Sequence, residues 1–165
     1  MKADVLVSGC FNTLHHGHID LLEFAARLGE VTVAVNNDSY IKQKYGKYAI
    51  SLVNRTRCLM ACRYVHNVIV FNEFDPSKII YKTKPNIFVR GPDYSGKALP
   101  EQQALIDVGC KLVIHQANKV ANSSEIVQGL DPGLFDISGS DLLLEPVIDL
   151  KQSEQTVPEL VSFIF

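Results

Sequence analysis

Short apolar runs alternating with amphipathic stretches predict an α/β chain: a doubly wound, five-stranded parallel sheet with helices on both faces, plus a C-terminal extension. Three observations carry that expectation. The strand-like runs are short and mainly apolar, as suits strands covered on both faces. The stretches between them are long enough for the helical crossovers that parallel strands require. The pattern then changes character at Asp131-Pro132-Gly133, a strong chain break. These features set a domain over residues 1–129 and an extension over 130–165. The extension has apolar clusters (Leu142-Leu143-Leu144, Val147-Ile148) and ends in Val161-Ser162-Phe163-Ile164-Phe165. It is too apolar for a solvated tail and is expected to pack on the domain or at a subunit interface.

The elements follow in order. Asp4 to Gly9 reads as a buried strand. Gly17 to Leu28 reads as a helix with Leu21, Leu22, Ala25 and Leu28 on one side, stopped by Gly29. Val31 to Val35 is a second strand. Asn36 to Ser51 is polar, carries Lys42, Lys44 and Lys47, and is expected to be a mobile loop. Asn54 to Tyr64 reads as a helix and Val65 to Phe71 as a strand. Asp75-Pro76-Ser77 opens another helix with its proline near the first turn. Pro85 to Arg90 is the fourth strand, Pro100 to Val108 a helix capped by Gly109, and Lys111 to His115 the fifth strand. Ser123-Ser124-Glu125-Ile126-Val127 begins a last short helix.

Composition excludes several function classes. Hydrophobic residues at 47% and charged residues at 21% suit a globular domain, and the 165 residues are enough to bury a core. The net charge is −2 and the basic residues are scattered, which argues against nucleic acid as a partner. No apolar run approaches the ~20 residues of a membrane-spanning helix, and the N-terminus leads straight into a strand, so the expected location is cytoplasmic. Cys10, Cys58, Cys62 and Cys110 include no Cys-x-x-Cys pair. Cys58 and Cys62 share a helical face, but without a second pair of ligands all four read as small core hydrophobes.

The chemistry concentrates in Ser8-Gly9-Cys10-Phe11-Asn12-Thr13-Leu14-His15-His16-Gly17-His18, where the first strand hands over to the first helix. Ligands of open α/β sheets bind at the C-terminal ends of the strands. A helix N-terminus there adds unpaired N–H groups and the positive end of the dipole, which suits phosphate. Gly9 and Gly17 allow close approach of backbone and phosphate. His15 and His18 can donate hydrogen bonds to charge developing on a phosphorus centre, and phosphoryl chemistry rests largely on such positioning.

This segment resembles the His-x-Gly-His signature of the cytidylyltransferase-like nucleotidyltransferases, which have a Rossmann-like fold. The resemblance runs from residue 3 to about residue 128. It takes in Val35-Asn36-Asn37-Asp38, the lysine-bearing stretch Lys42 to Gly46, Arg55, and Val89-Arg90-Gly91-Pro92-Asp93-Tyr94. Leu99-Pro100-Glu101 and Gly109-Cys110-Lys111-Leu112-Val113 look most like the branch that adenylylates heptose 1-phosphate, followed by the glycerol-3-phosphate cytidylyltransferase branch.

The resemblance implies transfer of a nucleoside monophosphate from an NTP to a small phosphorylated metabolite, with release of pyrophosphate. It implies that His15 and His18 bind the NTP phosphates and stabilise the transition state. Lys42 or Lys44 would neutralise phosphates, and Arg55 would bind the metabolite. Gly9, Cys10, Phe11, Thr13 and Gly17 would line the nucleotide site, with Arg90, Gly91 and Asp93 framing the nucleoside. Lys119, Ser123 and Ser124 would hold the outer phosphates, and Mg2+ would ride on those phosphates without a protein cage. A homodimer is the family's usual assembly.

Two departures from the pattern stand out: Asn12 occupies the place of a common Asp, and Ala117-Asn118-Lys119-Val120-Ala121-Asn122 replaces an Arg-Thr-Glu-Gly-Ile stretch that marks CTP users. The second favours ATP over CTP. Plainer readings remain beside these. The three histidines could bind a transition metal, though one tight turn converges poorly on a single ion. His66 and His115 suit surface or core roles, His115 ending a strand near the crevice. The lysines could form a solvated face, Asp93 could be a turn residue, and Ser123-Ser124 a helix cap. Arg55 and Arg57 at a helix start oppose its dipole unless an anion sits nearby. A nucleotide-binding module without turnover is the alternative of another class. A dinucleotide-dependent dehydrogenase is excluded because no Gly-x-Gly-x-x-Gly follows the first strand.

Overall fold

The computed structural model, described over residues 2–46 and 50–116, has strands β1 (Ala3–Gly9), β2 (Gly29–Asn36), β3 (Asn67–Phe71), β4 (Ile87–Arg90) and β5 (Lys111–Ile114). α1 (His16–Leu28) joins β1 to β2, while α2 (Asp38–Tyr45) and α3 (Leu52–Met60) join β2 to β3. α4 (Ser77–Thr83) leads into β4, and α5 (Gln102–Val108) into β5. All strands run parallel in the order β3-β2-β1-β4-β5. The direction of winding therefore reverses at β1, which pairs with β2 on one side and β4 on the other. That reversal opens the crevice of a doubly wound sheet at the C-terminal ends of β1 and β4. The expected architecture is the one found.

Alternation along the strands divides the core into two layers. Val5, Val7, Val31, Val33, Val35 and Val89 meet Leu22 and Ala25 of α1 and Leu59 of α3. Leu6, Ala34 and Phe88 point the other way, against Ile79 and Ile80 of α4 and Ala104 and Leu105 of α5. Each fully buried Val, Leu, Ile or Phe side chain among these contributes about 1.5–3 kcal/mol relative to exposure. Gly29 begins β2 rather than merely ending α1. A Cβ on it would lie 2.0 Å from the Ala3 carbonyl oxygen, so the absent side chain is what lets β2 close on β1.

The segment Asn36 to Ser51, expected as a mobile loop, instead contains α2, with Lys42 and Lys44 in its last turn. The Asn37 side chain accepts from the Tyr40 N–H, Asp38 lies in the first turn, and Gly46 closes the helix at φ 75° with its N–H on the Lys42 carbonyl. Ile41 is its buried anchor. α3 starts at Leu52, two residues before the expected Asn54, because Ser51 caps it, and it ends at Met60 rather than Tyr64. β3 and β4 begin two residues later than expected, at Asn67 and Ile87.

The cysteines are not uniformly core. Cys58 is exposed, and Cys62, beyond the end of α3, packs against the α1–α3 layer. Cys110 packs against the α4–α5 layer. The Cys10 thiol lies 3.6 Å from the Asn36 side-chain carbonyl oxygen. The chain divides at Leu134 into two units, and every described residue belongs to the first. The boundary expected at 129/130, the extension, and the helix expected at Ser123 lie outside the described residues. Among the described residues no helix is long and apolar enough to cross a membrane.

Candidate active site

The turn from β1 into α1 is built around two stacked imidazoles. His15 is the N-cap of α1, and its carbonyl accepts from the N–H groups of His18 at 2.9 Å and Ile19 at 3.2 Å. His18 lies three residues on, over the same edge of the helix end. The two rings stack with centroids 3.9 Å apart and planes 27° from parallel. Phe11 backs His18, with ring centroids 4.8 Å apart. It is itself buried and holds a left-handed φ of 46°. A side chain on Gly9 would meet that ring at 3.2 Å, so Gly9 is small to admit Phe11.

Both imidazoles are kept neutral. Burial, with His15 as a further cause, lowers His18 to about pKa 4 despite an opposing hydrogen bond to the Thr13 backbone. Burial, and then His16, lowers His15. In each ring Nδ1 is buried without a hydrogen-bond partner among the described residues. Two buried, unpaired polar atoms at a helix N-terminus are expensive unless a ligand engages them.

Two arginines grip the backbone on either side of Gly9. Arg55, on α3, donates from Nη1 to the Cys10 carbonyl at 2.6 Å and from Nη2 to Asp38 Oδ1 at 2.8 Å. Its side chain is wholly enclosed, so the anion that balances it at the start of α3 is Asp38, which also receives the Leu52 N–H on Oδ2 at 3.0 Å. Arg90, at the end of β4, donates from Nη1 to the Ser8 carbonyl at 3.1 Å and from Nε to Glu101 Oε1 at 2.9 Å. Its Nη2 also pairs with that oxygen. A trans peptide sets its N–H opposite its C=O. Fixing the Cys10 carbonyl on Arg55 therefore turns the Phe11 N–H away from Arg55.

The structure brings Gly9, Cys10, Phe11, Thr13, His15, Gly17 and His18 together in this turn, with Arg55 attached through Cys10 and Arg90 through Ser8. Gly91 follows β4, and Asp93 is exposed on the 3₁₀ turn Pro92–Tyr94. Lys42 and Lys44 are exposed on α2, which follows β2. Lys119, Ser123 and Ser124 lie outside the described residues. His115 does not stand alone. It stacks on Phe24 at 4.4 Å and its Nε2 lies 3.0 Å from Asp20 Oδ2, which ties the end of β5 to α1.

Sequence reasoning missed the partnerships of Asp38, Glu101 and Asp20, which only the folded chain reveals. Among the described residues no three His, Cys, Asp or Glu side chains converge as a metal site, including His15, His16 and His18. Asp38 and Asp20 are each already paired. This donor set fits a magnesium ion that stays on phosphate oxygens and water rather than one caged by protein.

A doubly wound sheet whose switch point carries a glycine turn, a helix N-terminus and two stacked imidazoles defines an α/β protein of the Rossmann-like class, with a crevice suited to phosphate. The chain belongs to the cytidylyltransferase-like family, whose model matches residues 6–142. It is 37% identical over 113 residues to the bifunctional protein HldE of Streptomyces coelicolor, covering 67% of this chain and 24% of that protein. It is 33% identical over 126 residues to HldE of Nitrosococcus oceani, covering 74% and 27%. The chain thus spans about a quarter of the length of these curated relatives. A lipopolysaccharide core biosynthesis protein from Thermoplasma volcanium superimposes with a TM-score of 0.60 at 28% identity, covering 69% of this chain and 96% of that one. Pantothenate synthetase from Thermus thermophilus shares the fold alone, with a TM-score of 0.52 at 17% identity.

Proposed function

We propose that this chain transfers a nucleoside monophosphate from ATP, ahead of CTP, to a sugar phosphate or a similar small phosphorylated metabolite, releasing pyrophosphate. The observation that carries the reading is the stacked pair His15 and His18 at the α1 N-terminus, each with a buried Nδ1 that has no partner among the described residues. The family membership supports it, and the sequence of residues 117–122 favours ATP. An oxygen of the metabolite's phosphate attacks the α-phosphorus in line. The bond from that phosphorus to the bridging oxygen breaks, and pyrophosphate departs with the electron pair. His15, His18, the Phe11 N–H and the first turn of α1 hold the phosphates and meet the charge that grows in the transition state. Neutral imidazoles suit donors that must not trap the product as a tight ion pair. Arg55 acts through the Cys10 carbonyl, keeping the turn in its binding shape, and Lys42 and Lys44 draw in the second phosphate. Magnesium, held by phosphate oxygens and water rather than by a protein cage, would offset the phosphates' charge when bound.

Pyrophosphate release with ATP or CTP against heptose 1-phosphate, glycerol 3-phosphate and phosphoethanolamine tests this reading. One nucleotide–acceptor pair is expected to dominate. His15→Ala and His18→Ala are each expected to lower kcat/KM by at least ~100-fold with circular dichroism unchanged. Full activity in both variants would sink the mechanism. Nucleotide binding without turnover on any acceptor would instead point to a binding module.

A further inference from the structure

Glu101 has no place in the mechanism above, yet it is fully buried at 0% exposure and pairs with Arg90. Its carboxylate spends Oε1 twice on Arg90, through Nε and Nη2, and leaves Oε2 buried without a partner among the described residues. Such a pair is a poor device for stability. An apolar pair of similar volume would avoid the desolvation of two ions and an unsatisfied oxygen, and Phe88, over which the guanidinium lies, already belongs to an apolar layer. What the ion pair supplies is geometry. It holds the Arg90 guanidinium with its Cζ 5.0 Å from the Phe88 ring centroid and 4.4 Å from that of Tyr94. The remaining arm reaches the Ser8 carbonyl, one residue before Gly9. One guanidinium therefore braces both walls of the crevice: the end of β1 on one side and the turn after β4 on the other. Its charge is cancelled by Glu101.

We propose that Glu101 is a positioning residue for nucleoside recognition: by neutralising and orienting Arg90, it shapes the nucleoside end of the site and keeps that arginine off the triphosphate. The inference rests on the proposed nucleotidyltransferase reading. It divides the site into a phosphate half, made by the α1 N-terminus with His15 and His18, and a nucleoside half set by Glu101, Arg90 and Tyr94. A residue that only supported the fold would affect both halves alike.

Calorimetry with ATP, CTP and inorganic tripolyphosphate, on the full chain, separates the two. In Glu101→Gln the nucleotide that wild type prefers is expected to bind at least ~10-fold more weakly, with tripolyphosphate within twofold of wild type. The double variant Arg90→Met/Glu101→Met guards against a folding defect, because it removes both buried charges together. It is expected to keep or raise Tm and to show the same selective loss. Unchanged nucleotide affinity in either variant overturns the inference, as does an equal loss for nucleotide and tripolyphosphate. Wild type that binds neither ATP nor CTP overturns the functional reading, and this inference falls with it. Wild type that binds normally while the variants fail to discriminate overturns only the role of Glu101.

Discussion

At the scale of single residues, the turn between β1 and α1 owes its shape to partners distant in sequence. Arg55 is the clearest case, since it satisfies the Cys10 carbonyl and the Asp38 carboxylate at once. Arg55→Met would leave that carbonyl unbonded and free the Phe11 N–H to reorient. We expect kcat/KM to fall ~100-fold, about 2.7 kcal/mol at the transition state, with a Tm loss of only a few degrees. Arg55→Lys should not rescue, because one ammonium cannot span both acceptors in the planar fork geometry. Steady-state kinetics beside thermal melts check this; a Lys variant with wild-type activity would mean that charge alone suffices. The His-x-Gly-His segment was legible in the sequence because its residues lie within one turn and their backbone setting follows from a strand meeting a helix. Asp38–Arg55, Arg90–Glu101 and Asp20–His115 were not, since 17, 11 and 95 residues separate the partners and only the folded sheet brings them together.

At the scale of elements, α2 shows why a polar segment can be misread. Its eight residues contain four that are charged or amide-bearing (Asp38, Lys42, Gln43, Lys44), and its buried apolar anchor among the described side chains is Ile41. Hydrophobic periodicity therefore carries no signal, and the helix is specified by its ends: the Asn37 cap, Asp38 in the first turn, two lysines in the last and Gly46 beyond. Asn37→Ala should cost about 1 kcal/mol of local helix stability, read as faster amide hydrogen exchange over residues 40–44. Unaltered exchange would mean that packing of Ile41, not the cap, holds the helix. Strands and long helices, by contrast, were readable because each buries a continuous or periodic apolar face. Gly29 was legible as a break but not in its real role, because its contact is with Ala3 on another strand. Gly29→Ala must move β2 away from β1 and should destabilise the sheet enough to lower soluble yield.

At the scale of the whole molecule, the reversal of winding at β1 gathers the glycine turn, the α1 N-terminus and the end of β4 at one edge of the sheet, and couples the stability of the fold to the protonation of the site. Unfolded, His18 titrates near 6.5; folded, burial brings it to about 4. Between those values the unfolded chain binds the extra proton, so stability falls as pH drops through that window. The full difference amounts to about 3 kcal/mol. Above pH 6.5 the ring is neutral in both states and the effect vanishes. A bound triphosphate changes the balance, since adjacent negative charge favours the imidazolium and raises the folded pKa. Nucleotide binding near pH 5.5 should then draw a proton into the site. Two measurements follow from one cause. Thermal midpoints between pH 7.5 and pH 4.5 should fall more steeply for wild type than for His18→Asn, which cannot titrate. Calorimetry at pH 5.5 in two buffers of different ionisation enthalpy should show greater proton uptake by wild type on binding nucleotide. The His18→Asn comparison matters because the nucleotide's own terminal phosphate and His15 also titrate, and both persist in the variant. Equal pH slopes with equal proton uptake would place His18 outside the phosphate site. A difference in slope without a difference in uptake would leave it buried in the fold but untouched by the nucleotide.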